Sequence, residues 1–199
     1  MWRVLFITLV VLPALWPRDR VSSPKGPLTL VVEYETPPAE ESLTEMRREL
    51  SGILEKTGLQ IEWKLRSEIK LGDSLSDLAV IRLRGNCRME AMPIVFDERG
   101  PLAFAHTADG EILPFTEVVC DRVRGLTRAA MFGGEHARGN QLLGRAMARV
   151  VAHELYHVVA GAQHDAEGIT RASLSGRQLI DDRLGFSEKA IGRLSAKSH

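Results

Sequence analysis

The chain has no net charge, little cysteine and no apolar run long enough to cross a bilayer, and each shortage removes a class of protein. Its 26 Lys and Arg balance 26 Asp and Glu over 199 residues. No net field therefore draws it to nucleic acid or to an anionic membrane. Its two cysteines do not form a Cys-x-x-Cys pair, which argues against a cysteine-built zinc site. There is no internal repeat, low-complexity tract or long charge run. What is left is an ordinary globular chain, 44% hydrophobic and of a size for one domain.

Residues 4–16 are almost wholly apolar and follow the basic Arg3. They are too few to span a bilayer comfortably but have the length of a signal-peptide core. The polar residues 17–26 come next. We therefore expect residues 1–23 to be a signal peptide, or an N-terminal anchor if uncleaved, and residues 24–199 to be a single domain that is secreted or periplasmic. A buried N-terminal strand or helix is the plainer alternative. Cys87 and Cys120 fit export, being an even pair. Bridged, they close a loop of about 33 residues, worth about 3–4 kcal/mol in the chain-entropy picture. Two unrelated buried thiols are the other reading. Neither lies between the leader and the first expected strand, so no inhibitory propeptide is evident.

Against this background one pentapeptide concentrates chemistry: His153-Glu154-Leu155-Tyr156-His157. Histidines four apart lie on one helical face, one turn from each other, and can grip one Zn²⁺. The glutamate between them projects toward the same place, where it can deprotonate a metal-activated water. The motif sits in the largely apolar run 148–162, so its helix is expected to be buried. Buried imidazoles and a buried carboxylate are costly without compensation, which a metal provides. The bland alternative is a buried helix whose histidines bond to nearby backbone.

The elements around it follow from periodicity and punctuation. Leu28–Tyr34 reads as a strand. Residues 39–57 have helical spacing through Leu43, Met46, Leu50, Ile53 and Leu54, with Gly58 as the stop. Residues 59–65 and Leu78–Arg84 are two further strands. A hairpin is expected at Asp109-Gly110, with strands at 104–107 and Glu111–Val119. Residues 121–139 have no regular pattern. Asn140 is a plausible N-cap for a helix over 141–160, ended by a left-handed Gly161. Short helices are expected near 176–184 and 187–194. Strand, helix, two strands, hairpin, motif helix and short tail make an α+β fold, a mixed sheet with a backing helix and an active-site helix.

A catalytic zinc usually takes three protein ligands and leaves one position for water. Seven residues past His157 comes His164, with Gly161 between. This stretch resembles the metzincin zinc peptidases, whose signature is HExxHxxGxxH. Gly161 and His164 keep the family's mutual spacing but are displaced by one residue relative to His157. The element order ahead of the motif also resembles that family, and the resemblance implies a metzincin-like fold. It further implies metal ligands His153, His157 and His164, Glu154 as general base, and peptide binding along the hairpin strand before the motif helix, Glu111–Val119. Metzincins also place a methionine beneath the metal; no methionine follows Met147 here, so Ile180 or Leu184 would have to serve. Other candidate ligands are Asp165, Asp181, Asp182, Glu167 and Glu188. His106 and His136 lie upstream and are expected to be exposed, and His199 is terminal. Tyr156 is expected to pack rather than react, and no later tyrosine exists to donate to an oxyanion, which leaves Arg171 as the tail's conceivable substitute.

The expected function is an exported zinc-dependent endopeptidase acting on peptide or protein substrates. The partners expected exclude nucleic acid, and include a membrane only if the leader is retained. A zinc amidase acting on a non-protein amide, such as a cell-wall crosslink, uses the same motif. A degenerate metzincin-like binding or scaffold module is the non-enzymatic reading, against which the intact Glu154 speaks.

Overall fold

The computed structural model describes residues 26–75, 77–90, 100–161 and 163–197. The expected leader, residues 1–23, and His199 lie outside the described residues. Five strands, β1 (Leu28–Tyr34), β2 (Ile61–Leu65), β3 (Leu78–Arg84), β4 (Ala103–Ala108) and β5 (Glu111–Val119), form one mixed sheet. Its spatial order is β2-β1-β3-β5-β4. The first four in that order run parallel, and β4 alone is antiparallel, against β5. The tight turn between β4 and β5 is made by Asp109 and Gly110, at φ 51° and 81°, the paired left-handed conformation that an Asp-Gly turn supplies.

The helices are α1 (Glu40–Glu55), α2 (Cys120–Ala130), α3 (Gly139–Ala160), α4 (Gly176–Ile180) and α5 (Glu188–Ser195). Alternation along the strands sends Leu30, Val32, Ile81 and Leu83 into one core with Met46, Leu50 and Leu54 of α1 and Leu143, Met147 and Val151 of α3. The opposite sheet face carries ion pairs instead: Arg82 with Glu33, and Arg84 with Glu35 and Glu117. The fold is thus mixed α/β, a five-stranded mixed sheet with several helices, which is compatible with the α+β expectation. α1 and α3 approach so closely at Gly144 that a Cβ there would lie 2.3 Å from the Ser42 carbonyl oxygen.

Two local expectations are overturned. The first half of 121–139 lies in a full helix, α2 (Cys120–Ala130), whose buried side is Cys120, Val123, Arg124 and Thr127. Asn140 is not a cap: α3 already begins at Gly139 with Arg138 before it, and the Asn140 side chain accepts the Met89 amide at 2.9 Å. Cys87 and Cys120 are joined in a disulfide, and both are wholly buried. Such a bond fits an oxidising compartment. Among the described residues no helix is long and apolar enough to cross a membrane.

Candidate metal centre

α3 is buried along nearly its whole first five turns, and its last two turns carry the motif. The Nε2 atoms of His153 and His157 lie 3.0 Å apart, and those of His164 and His153 3.2 Å apart. The edge of a tetrahedron of zinc–nitrogen bonds is about 3.3 Å, so these two spacings already match those of one ion's ligands, and all three ligand atoms lie within 4.8 Å of one another. They form the one His, Cys, Asp or Glu group of three among the described residues able to hold a metal. Gly161, at φ 57° and ψ 27°, ends α3 and returns the chain, which brings His164 over the preceding turn. The displaced Gly/His spacing is absorbed there: the helix runs to Ala160, and the left-handed residue follows it directly.

The donor set suits a cation. His153 Nδ1 lies 2.8 Å from the Ile169 carbonyl oxygen, an acceptor only, so Nδ1 carries the proton and Nε2 presents its lone pair to the shared point. Burial, above all, pushes the His153 pKa down to about 4, with the two neighbouring imidazoles adding to it. The ring is therefore held neutral, the form a metal needs. Glu154, only 8% exposed, is pushed the other way: burial raises its carboxyl to about 7, partly opposed by a hydrogen bond from the Ala105 amide.

A cleft of about 540 Å³ opens over this cluster. One wall is β4, through Ala103, Ala105 and Thr107; another is the tail segment 171–174; the floor is Val150, His153, Glu154 and His157. Leu102, Ile112, Leu126 and Leu174 make much of the lining apolar. The strand bordering the cleft is thus β4, not Glu111–Val119. β5 is internal, bonded to β3 on one side and β4 on the other, so it has no edge to offer.

None of the competing ligands joins this group, and the aspartates among them are occupied elsewhere. Asp165 accepts from Tyr156, Lys189 and Arg193. Asp182 pairs with Arg145, and Asp181 accepts the Arg183 amide. Glu167 and Glu188 are exposed. His106 is half-buried rather than exposed, on β4 and 3.6 Å from Glu117; His136 is exposed, before α3. Ile180 and Leu184 pack with the core and neither lines the cleft, so neither replaces a methionine beside the cluster. Tyr156 packs, as expected, with no exposed surface. Arg171 lines the cleft.

Sequence reasoning missed two participants, the Ile169 carbonyl and the Ala105 amide. Both are backbone groups and leave no residue signature. No family model matches this sequence, and no curated protein matches it.

Proposed function

We propose that this chain is an exported zinc-dependent endopeptidase of metzincin-like build. One observation carries the reading: three imidazole Nε2 atoms converge beside a buried glutamate, in a cleft bordered by a sheet's edge strand. His153, His157 and His164 would hold the ion. Bound zinc supplies a Lewis acid for a carbonyl and acidifies a water. Glu154 takes a proton from the attacking water and passes it to the leaving amine. Its burial keeps it more basic than an ordinary carboxylate, while a nearby dication favours its ionised form. The His153–Ile169 hydrogen bond fixes the ring that grips the ion. β4 offers main-chain groups to an extended peptide, and Leu102, Leu126 and Leu174 offer apolar contact.

The test is a digest by zinc-loaded protein of casein, a peptide library and cell-wall fragments, each with and without a chelator. Chelator-sensitive peptide cleavage supports the endopeptidase. Cleavage confined to the cell-wall fragments replaces it with the amidase. No cleavage together with no bound zinc replaces it with a scaffold.

A further inference from the structure

Among the described residues, Arg171 is the one lysine or arginine that lines the cleft, and Glu154 the one carboxylate. Many of the other arginines are engaged: Arg145 and Arg149 with Glu45 and Glu49, Arg177 with Glu135, Arg193 with Asp165. Arg171 makes no hydrogen bond or ion pair with any described residue. The residue is exposed, but the backbone that carries it is firmly placed. It directly follows the 3-10 turn Gly168–Thr170, in which Ile169 and Thr170 are fully buried. That turn is tied to the metal cluster by Ile169 O to His153, and to the rest of the tail by the Asp165 and Ile169 amides at 3.0 Å.

From this we infer that Arg171 is a specificity-determining residue that selects peptides presenting a carboxylate on the tail side of the metal centre. The inference rests on the hydrolase reading above. A peptide lying in the cleft, much of whose lining is apolar, strips water from the guanidinium. If the peptide brings a neutral apolar group, that desolvation is uncompensated and opposes binding. If it brings a carboxylate, the planar fork accepts it in a bidentate pair. A zinc ion held at the cluster adds positive potential of the same sign. The carboxylate has two chemical sources, a C-terminus or an acidic side chain.

The experiment uses matched peptides: free C-terminus against amide, and Glu against Gln at each position flanking the scissile bond. Each is measured for kcat/KM with zinc-loaded protein, and for Kd with zinc-loaded Glu154→Gln. Wild type should favour the carboxylate member of one pair by about tenfold or more, the worth of a charge-assisted hydrogen bond. The pair that responds identifies the source. Arg171→Gln should bring that ratio near one, and Arg171→Lys should restore part of it. A ratio of one in wild type overturns the inference while cleavage keeps the hydrolase standing. So does an Arg171→Gln variant that slows both members equally through kcat, the mark of an oxyanion donor. A carboxylate preference in Kd without any cleavage leaves this inference and removes the hydrolase. Absence of both peptide binding and cleavage removes the two together.

Discussion

The Tyr156 phenol donates to Asp165 at 2.9 Å, and that bond joins the helix bearing two of the metal-site histidines to the residue that follows the third. The phenol oxygen in turn accepts from Arg193 at 2.5 Å, and Lys189 reaches Asp165 at 2.7 Å. Tyr156 is wholly buried. Lys189 first, then Tyr156, hold the Asp165 carboxyl below its ordinary range. His164 itself is exposed and has little packing to hold it. Its position depends on its neighbour's anchorage to α5.

Asp165→Asn should therefore weaken metal binding although all three histidines remain in the sequence. Groups that orient a ligand are worth about 10- to 100-fold in metal affinity, and competition with a chromophoric chelator measures it. Tyr156→Phe removes the phenol's bonds to Asp165 and Arg193 but keeps the Lys189 and Arg193 contacts to Asp165, and should lie between the variant and wild type. Unchanged zinc affinity in Asp165→Asn would show that the loop holds itself.

His164→Ala and Glu154→Gln separate holding the ion from using it. Loss of one of three imidazoles should leave zinc below one equivalent per chain after dialysis, read by elemental analysis. Glu154→Gln should keep one equivalent and lose about 10²- to 10⁴-fold in hydrolysis, the usual worth of a general base. Stoichiometric zinc in His164→Ala would exclude that residue as a ligand. Full activity in Glu154→Gln would end the proposed mechanism.

The two burial-driven shifts make opposite demands on the metal-free fold. Glu154 rises from 4.5 to about 7, so the native state prefers its protonated form. That preference is fully present below pH 4.5 and is lost as pH climbs to about 7, on the order of 3 kcal/mol in all. His153 falls from 6.5 to about 4, so its contribution is present above 6.5 and is lost as pH falls toward 4. The two oppose each other between 4.5 and 6.5. Urea unfolding of chelated wild type and Glu154→Gln across pH 4–8 isolates the glutamate. The variant's advantage should grow up to about pH 7 and then level off. A difference that does not vary with pH would mean the carboxylate is better solvated than its burial implies.

Much of this was legible in the sequence because side-chain periodicity encodes it. β1 and β3 were readable residue for residue, since each is a short apolar run between turn signals. Gly161 and the Asp109-Gly110 turn were readable because a left-handed backbone demands particular residues. α2 was not, because its buried side includes Arg124 and Thr127. Arg124 is satisfied there by Asp121 and by the backbone carbonyls of Asn86 and Arg88, and a polar residue solvated by the fold looks like loop in a sequence. The border of the cleft was misassigned for a different reason. Hairpin periodicity shows which strands pair but not which of them joins the older sheet, and β3 chose β5. The row Arg145, Arg149, His153 and His157, each four after the last in a mostly apolar helix, marks the α3 face turned to the tail, and could have been read as such.

That row makes its own prediction. Arg149 is 1% exposed. It holds Glu49 at 2.8 and 3.0 Å and the Gln178 carbonyl at 2.8 Å, clipping the tail onto α1 and α3 two residues before α4 ends. Arg149→Met leaves the Glu49 carboxylate only the longer contacts to Arg48 and Arg145, at 3.8 and 3.9 Å, and should cost about 3 kcal/mol, the low end for breaking a buried pair. Adding Glu49→Leu removes the stranded charge and should recover most of that loss, because an apolar pair of similar volume can replace a buried ion pair. Denaturant unfolding of the four members of the cycle measures the coupling. If the double variant is as unstable as Arg149→Met alone, the Gln178 carbonyl, not the charge pair, is what Arg149 is there to satisfy. Arg149 would then hold the tail through a single backbone contact.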